Sequence, residues 1–198
     1  SCLVGSEMCI RDRYYLCPTN IKHSNMNYGF VRIATAIPGV KVGDCKYNAQ
    51  QIESLIIQAE GKGVEIICFP ELSITAYTCG DLFAQQLLLD EAEMCLISIL
   101  DFTRSLDIIS IIGLPVAYHG TLLNCAAVIQ KGKILGLIPK TYLPNYKEFY
   151  EQRWFTSGDV HGNSNVLICG QMVPLSRHLV FNTCLLYTSP SPRDKRQS

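Results

Sequence analysis

Two residues of opposite charge stand in matching positions. Glu71 and Lys140 each directly follow a proline that closes an apolar run. Residues 64–69 read as a short strand covered on both faces, because the run is apolar and bounded by Gly63 and Pro70. Proline ends such a run, since it has no N–H to give a ladder. In α/β folds the edge just past the strands' C-terminal ends is where sites are built. One glutamate after one strand reads first as a solvated or helix-capping carboxylate, because loops hold most of a protein's charge. Two strand ends at one sheet edge would instead place a carboxylate and an ammonium in one pocket. There a buried Glu71 can act as general base, while Lys140 stabilises a developing oxyanion. Such a pair lacks only a nucleophile, and a cysteine thiolate would serve.

The flanking elements follow from pattern. Residues 29–37 alternate loosely and are rich in β-branched side chains, which suggests a first strand ended by Pro38-Gly39. Residues 44–60 carry Ile52, Leu55, Ile56 and Ala59 at helical spacing, with Asp44 as cap and Gly61 and Gly63 as stop. Cys79-Gly80-Asp81 opens a second helix to about Ser105, with Phe83, Leu87, Met94, Ile97 and Leu100 as its buried stripe. Residues 108–114 form a third strand ended by Pro115. Residues 122–130 and 133–138 form a hairpin about Lys131-Gly132. Residues 141–158 read as an aromatic, packed loop. Residues 166–169 and 178–182 complete the strands. The order β-α-β-α-β-β-β implies a layered α/β fold with strands paired both ways and helices outside.

Composition narrows the function classes. Lys+Arg and Asp+Glu both number 17, so no electrostatic footprint exists for nucleic acid or an anionic membrane. No apolar run approaches the ~18 residues that would suggest a membrane span. The 10 cysteines include no CxxC pair, which argues against a zinc ribbon or dithiol site. Cys68, Cys125 and Cys169 lie in apolar runs, where cysteine behaves as a small hydrophobe. A reduced, cytoplasmic chain is expected. His119, His161 and His178 lack ligand spacing, so no metal site is expected. Gly61-Lys62-Gly63 lacks the phosphate-loop pattern, and no GxGxxG is present.

Phe69-Pro70-Glu71-Leu72-Ser73-Ile74-Thr75-Ala76-Tyr77 and Pro139-Lys140-Thr141-Tyr142-Leu143-Pro144 resemble the Glu and Lys motifs of the nitrilase superfamily. Those enzymes use a Glu-Lys-Cys triad. Further stretches narrow the match: Tyr77-Thr78-Cys79-Gly80-Asp81-Leu82-Phe83, Gly113-Leu114-Pro115-Val116, Leu123-Asn124-Cys125-Ala126-Ala127-Val128, and the run from Tyr146 to Phe155. In that order they are similar to the glutaminase domain of bacterial glutamine-dependent NAD synthetases. The resemblance implies an α/β, nitrilase-like αββα layered sandwich, incomplete at its C-terminal side. It also implies a mechanism. The family's cysteine attacks the side-chain amide of glutamine, Glu71 takes the thiol proton and passes it to departing ammonia, and Lys140 holds the oxyanion. Tyr77 matches an aromatic residue lining the site, and Glu151 the acidic residue supporting the lysine. Ammonia then reaches a C-terminal synthetase domain that uses ATP and magnesium to amidate deamido-NAD. No cofactor is expected in this domain itself. A homo-oligomer is expected for the parent enzyme.

The two ends read as foreign. Residues 3–12 can be back-translated into DNA whose reverse complement, read one base out of phase, encodes residues 184–193. That pattern resembles translated sequencing adapter. Residues 1–25 are therefore expected to be adapter and upstream read-through, residues 26–183 a partial carbon-nitrogen hydrolase domain, and residues 184–198 adapter. The family's cysteine follows the strand after Phe181-Asn182-Thr183, in a stretch ending Cys-Glu-Asp. Here Cys184 is followed by Leu-Leu-Tyr and is not that residue. Cys169 has no acidic neighbour. The nucleophile is thus expected beyond Thr183 and the chain as written is expected to be inactive. Two alternatives stay open: a stand-alone amidase or carbamoylase of the superfamily, and a non-catalytic interaction domain on the same fold. Sequence past Thr183 separates them.

Overall fold

The computed structural model describes residues 13–16, 30–160 and 162–183. They fall into two units. Residues 32–177 form the larger one, and the smaller comprises residues 1–31 and 178–198. In the smaller unit, β1 (Arg13–Leu16) and β9 (Val180–Thr183) pair in parallel, Arg13 against Val180 and Leu16 against Thr183. Residues 13–16, which lie in the stretch expected to be foreign, are extended there.

The larger unit holds β2 (Ile33–Thr35), α1 (Cys45–Gly61), β3 (Ile66–Cys68), a 3₁₀ segment (Tyr77–Ala84) and α2 (Gln86–Phe102). It continues with β4 (Ile109–Tyr118), β5 (Thr121–Gln130), β6 (Lys133–Pro139), β7 (Ser164–Ile168) and β8 (Gln171–Leu175). The seven strands form one mixed sheet in the order β2-β3-β4-β5-β6-β8-β7. β2, β3 and β4 run parallel, because helical crossovers join them. β4, β5 and β6 run antiparallel through tight turns. The class is α/β, as the sequence implies. In this unit the described residues supply one sheet with helices packed on one of its faces.

Register decides which residues meet those helices. Ile67, Ile112, Leu114, Leu123, Cys125, Ala127, Ile129 and Leu137 share one face and join a single apolar cluster with Ile52 and Ile56 of α1 and Leu96 and Ile99 of α2. α1 starts where Asp44 accepts a hydrogen bond from the Tyr47 N–H at 3.1 Å, the cap the sequence indicates. At the other end the Glu60 carboxylate accepts from the Asp107 and Ile108 N–H groups at 3.2 and 3.1 Å, tying α1 to the start of β4.

Four sequence readings are corrected. The second helix does not run unbroken from Cys79, because Gln85 is extended (φ −92°, ψ 122°) and Gly80 takes φ 58°. The helix restarts at Gln86, which rotates its buried face onto Leu88, Ala92, Cys95, Leu96, Ile99 and Leu100. Leu87 and Met94 are 74% and 64% exposed, and Ile97 is half-buried. Pro115 does not end β4. Ile109, Ile111 and Gly113 turn their polar groups toward the β3 side, bonding Glu65, Phe69 and Ile74. Pro115, next in that series, faces past the end of β3, so its missing N–H breaks no ladder bond. The sequence reading also lacks β8. The strand expected over residues 166–169 is present as β7 (Ser164–Ile168), ending one residue earlier because Cys169-Gly170 form a hairpin turn with φ 51° and 70°. The Lys131-Gly132 turn has the expected pair of positive φ angles, 49° and 73°.

The rotated face of α2 gives a stability contrast. Leu96→Ala is expected to lower the unfolding free energy by about 2–5 kcal/mol. Met94→Ala should change it by less than about 0.5 kcal/mol. Urea unfolding of the two variants checks this.

Candidate active site

The site is assembled from loops at the sheet edge where β3 and β6 end. β3 pairs onward through Phe69, whose N–H reaches the Ile111 carbonyl at 2.9 Å, and then Pro70 turns the chain out. The following loop lies against Gly113 of β4. A Cβ on Gly113 would come within 2.4 Å of the Leu72 nitrogen, 2.5 Å of the Pro70 oxygen and 2.8 Å of the Glu71 carbonyl carbon. Only glycine lets the Glu71 backbone settle there. The loop is wound tightly: Leu72 has φ 50° and Ala76 sits at φ 70°, ψ 155°, conformations that non-glycine residues seldom take.

Lys140 leaves the end of β6. Its N–H donates to the Asn124 carbonyl at 2.8 Å, and its own carbonyl accepts from Gly158 at 2.9 Å. Its Nζ donates to Glu71 Oε2 at 2.8 Å and to Glu151 Oε1 at 3.0 Å. Glu151 opens a short 3₁₀ turn (Glu151–Arg153). The Tyr77 hydroxyl donates to the same Glu151 Oε1 at 2.6 Å. The structure therefore brings Glu71, Lys140, Glu151 and Tyr77 into one hydrogen-bonded chain. One expectation is corrected: Glu71 is not buried. Its side chain is 52% exposed, while that of Glu151 is 3% exposed. Glu71 ends in a loop that overhangs the sheet, whereas Glu151 is folded under the aromatic segment.

Charge balance in this chain is uneven. Burial pulls the Lys140 ammonium down, but hydrogen bonds to Glu71 and Glu151 and their charges more than offset it and hold the group above its ordinary 10.5. Burial, then the Glu151 hydrogen bond and charge, push the Tyr77 hydroxyl up, so it stays a donor at neutral pH. The second Glu151 oxygen, Oε2, is buried and makes no hydrogen bond among the described residues.

Three residues given no role from the sequence hold the site in shape. Asn124, buried in β5, donates from Nδ2 to Glu71 Oε2 at 3.1 Å. A lone amide inside an apolar strand run is the signal that could have found it. Gly113 seats the glutamate loop. Asp81 accepts from Arg153 Nε and Nη2 at 3.0 and 3.3 Å and from Trp154 Nε1 at 3.0 Å. The Trp154 bond, then the Arg153 bonds, hold the Asp81 carboxyl below its ordinary range. That clamp ties the segment carrying Tyr77 to the turn carrying Glu151. Phe83 reinforces it edge-on against Phe155, with ring centroids 4.9 Å apart.

Glu71 and Lys140 stand at the rim of a cleft of roughly 250 Å³ floored by Cys68, Ile111, Gly113, Ala126 and Ile138. Register puts these residues on the sheet face opposite the helices. No described cysteine is hydrogen-bonded to Glu71. The Cys68 thiol points to the Phe69 carbonyl at 3.7 Å, and burial pushes the Cys125 thiol up. Cys169 sits in a hairpin turn against Glu93, its thiol pushed up to about 12 by burial and then by that carboxylate. Cys184 and His161 lie outside the described residues. Among the described residues no group of three or more His, Cys, Asp or Glu could hold a metal ion. No described helix is long and apolar enough to cross a membrane.

A carboxylate, an ammonium and a second carboxylate thus meet at the strand ends of this sheet. Residues 31–173 match the family model for carbon-nitrogen hydrolases, and the chain belongs to that family. Among its relatives is a glutamine-dependent NAD(+) synthetase from Mycobacterium leprae, 35% identical over 145 residues, covering 73% of this chain and 21% of the relative. A crystal structure of a glutamine-dependent NAD(+) synthetase from Cytophaga hutchinsonii superposes with a TM-score of 0.69 at 31% identity, covering 74% of this chain and 25% of that one. An amidase variant from Nesterenkonia sp. AN1 with covalent addition at its active-site cysteine shares the fold, with TM-score 0.56 at 20% identity over 73% of this chain and 55% of its own. The chain thus spans about a fifth to a quarter of the length of the synthetases it matches.

Two outcomes are expected. Gly113→Ala should lower the unfolding free energy by about 1–3 kcal/mol, because backbone atoms cannot move aside as a side chain can. Gly61→Ala, which would meet nothing within 4 Å, should not destabilise. Differential scanning calorimetry of both variants checks this. The second concerns pH. A lysine raised by its partners stabilises the fold fully below 10.5 and loses that contribution as pH passes its folded value. Subtracting the stability of Lys140→Met from that of the unsubstituted chain across about pH 9 to 11.5 should give a difference that shrinks toward high pH.

Proposed function

We propose that this chain is the ammonia-generating part of a glutamine-dependent NAD synthetase and that glutamine is its substrate. The observation that carries the reading is Lys140 held between Glu71 and Glu151 at the strand ends of a carbon-nitrogen hydrolase sheet. In this reading Glu71 is the general base for a cysteine thiol and later passes the proton to departing ammonia. Lys140 faces the carbonyl oxygen and stabilises the oxyanion. Glu151 holds Lys140 charged and aimed, and Tyr77 fixes Glu151 while lining the substrate's path. In this reading no described cysteine is the nucleophile, and the 198-residue chain does not turn over. ATP and magnesium act in a separate synthetase domain that amidates deamido-NAD. The setting is the cytoplasm, and the parent enzyme is a homo-oligomer.

The fold shared with the Nesterenkonia amidase supports a second reading, hydrolysis of small free amides without a synthetase partner. Ammonia release separates them. A full-length parent enzyme carrying this segment should release ammonia from glutamine, and Glu71→Gln or Lys140→Met in it should lower the rate at least ~100-fold, the scale of lost proton transfer or oxyanion stabilisation. The 198-residue chain alone should release none. Glutamine-dependent ammonia release by that chain contradicts the assigned division. Equal turnover of glutamine and propionamide by the parent favours the amidase reading.

A further inference from the structure

We propose that Asn124 is a positioning residue that pins Glu71 Oε2 against Lys140 and so leaves Oε1 as the proton-accepting oxygen. The inference rests on the reading of Glu71 as the base and deepens it. Three observations carry it. Asn124 is a buried polar residue, 3% exposed, in the middle of an apolar strand. Its Nδ2 lies 3.1 Å from Glu71 Oε2, the oxygen that also receives Lys140 Nζ at 2.8 Å. Its main-chain carbonyl accepts the Lys140 N–H at 2.8 Å. One strand residue therefore fixes both members of the pair, the carboxylate by its side chain and the lysine by its backbone.

The need for such a tether follows from exposure. The Glu71 side chain is half in solvent, with freedom to swing outward. An ammonium is a compact point charge with rotating donors and imposes little direction on a carboxylate. Exposed ion pairs alone are worth only ~0–1 kcal/mol. An amide on a buried strand is directional, and a carboxylate can only accept, so the Asn124 nitrogen must face it. With Oε2 receiving two donors, Oε1 makes no hydrogen bond among the described residues and is the oxygen free for a proton. The neighbouring register explains why the residue sits there. Cys125 pairs with Pro139 at the last rung between β5 and β6, so Asn124 lies level with Lys140.

The test reads Lys140 and does not require glutamine turnover, so its failure is separable from failure of the functional reading. Competitive acetylation of the 198-residue chain, followed by mass spectrometry, gives the rate at Lys140 relative to Lys133. If Asn124 acts by holding Glu71, Asn124→Ala frees the carboxylate and exposes more unprotonated amine, raising the relative rate about threefold, the equivalent of half a pH unit. Glu71→Gln should raise it at least as much. Adding Asn124→Ala to Glu71→Gln should then change nothing further, because the two act as one unit. Asn124→Thr, which suits a strand but cannot reach Glu71, repeats the test if the alanine variant does not fold. An unchanged rate in both Asn124 variants, or an equal rise with and without Glu71→Gln, overturns the proposal.

Discussion

One ammonium shared by two carboxylates is the contact on which the site depends. Lys140 joins a glutamate on the loop after β3 to a glutamate on the short turn within the aromatic segment, 69 and 11 residues away in sequence. Without it two negative groups would face each other, one of them buried. A buried carboxylate is tolerated only when paired and hydrogen-bonded. Glu151 meets that condition through Lys140 and the Tyr77 hydroxyl. The rest of the architecture serves to bring these groups to one place. β3 and β6 run in the same direction, separated by β4 and β5, so both end at the same sheet edge.

Around that contact the structure works by close approach more than by charge. Gly113 allows the Glu71 loop to lie on β4, and the Phe69 N–H extends the sheet to the proline that turns the chain out. Unusual backbone angles at Leu72 and Ala76 mark the same loop, where strain is held by the packing of buried Leu72 and Ile74. On the far side Asp81 clamps Arg153 and Trp154, which ties the segment bearing Tyr77 to the turn bearing Glu151. The clamp is exposed and acts mainly by geometry, since solvent screens such pairs.

Much of this was legible in the sequence, for identifiable reasons. Proline before Glu71 and proline before Lys140 mark two strand ends, and strand ends on one sheet edge must lie near each other. The α1 helix carries its cap and stop locally, and Lys131-Gly132 is a turn by local chemistry alone. What could not be read depends on tertiary context. The face of α2 turned on a break at Gln85 that no periodicity reveals. Pro115 fits inside β4 only because β3 has already ended beside it. β8 is short, and its hairpin turn, Cys169-Gly170, carries only one typical turn residue. The exposure of Glu71 and the reach of Asn124 are both consequences of loop packing, to which spacing is blind.

Membership of the carbon-nitrogen hydrolases and similarity to glutamine-dependent NAD synthetases set the chemistry in which this ion array makes sense. The array itself remains the central claim: Lys140 is a charged lysine held from two sides. Nuclear magnetic resonance of the ¹⁵N-labelled lysine side chains tests it most directly. The account predicts that the Lys140 Nζ signal titrates above the ordinary lysine value of 10.5, and that Glu151→Gln moves it downward. A Lys140 signal that titrates at or below 10.5, and ignores Glu151→Gln, would contradict it.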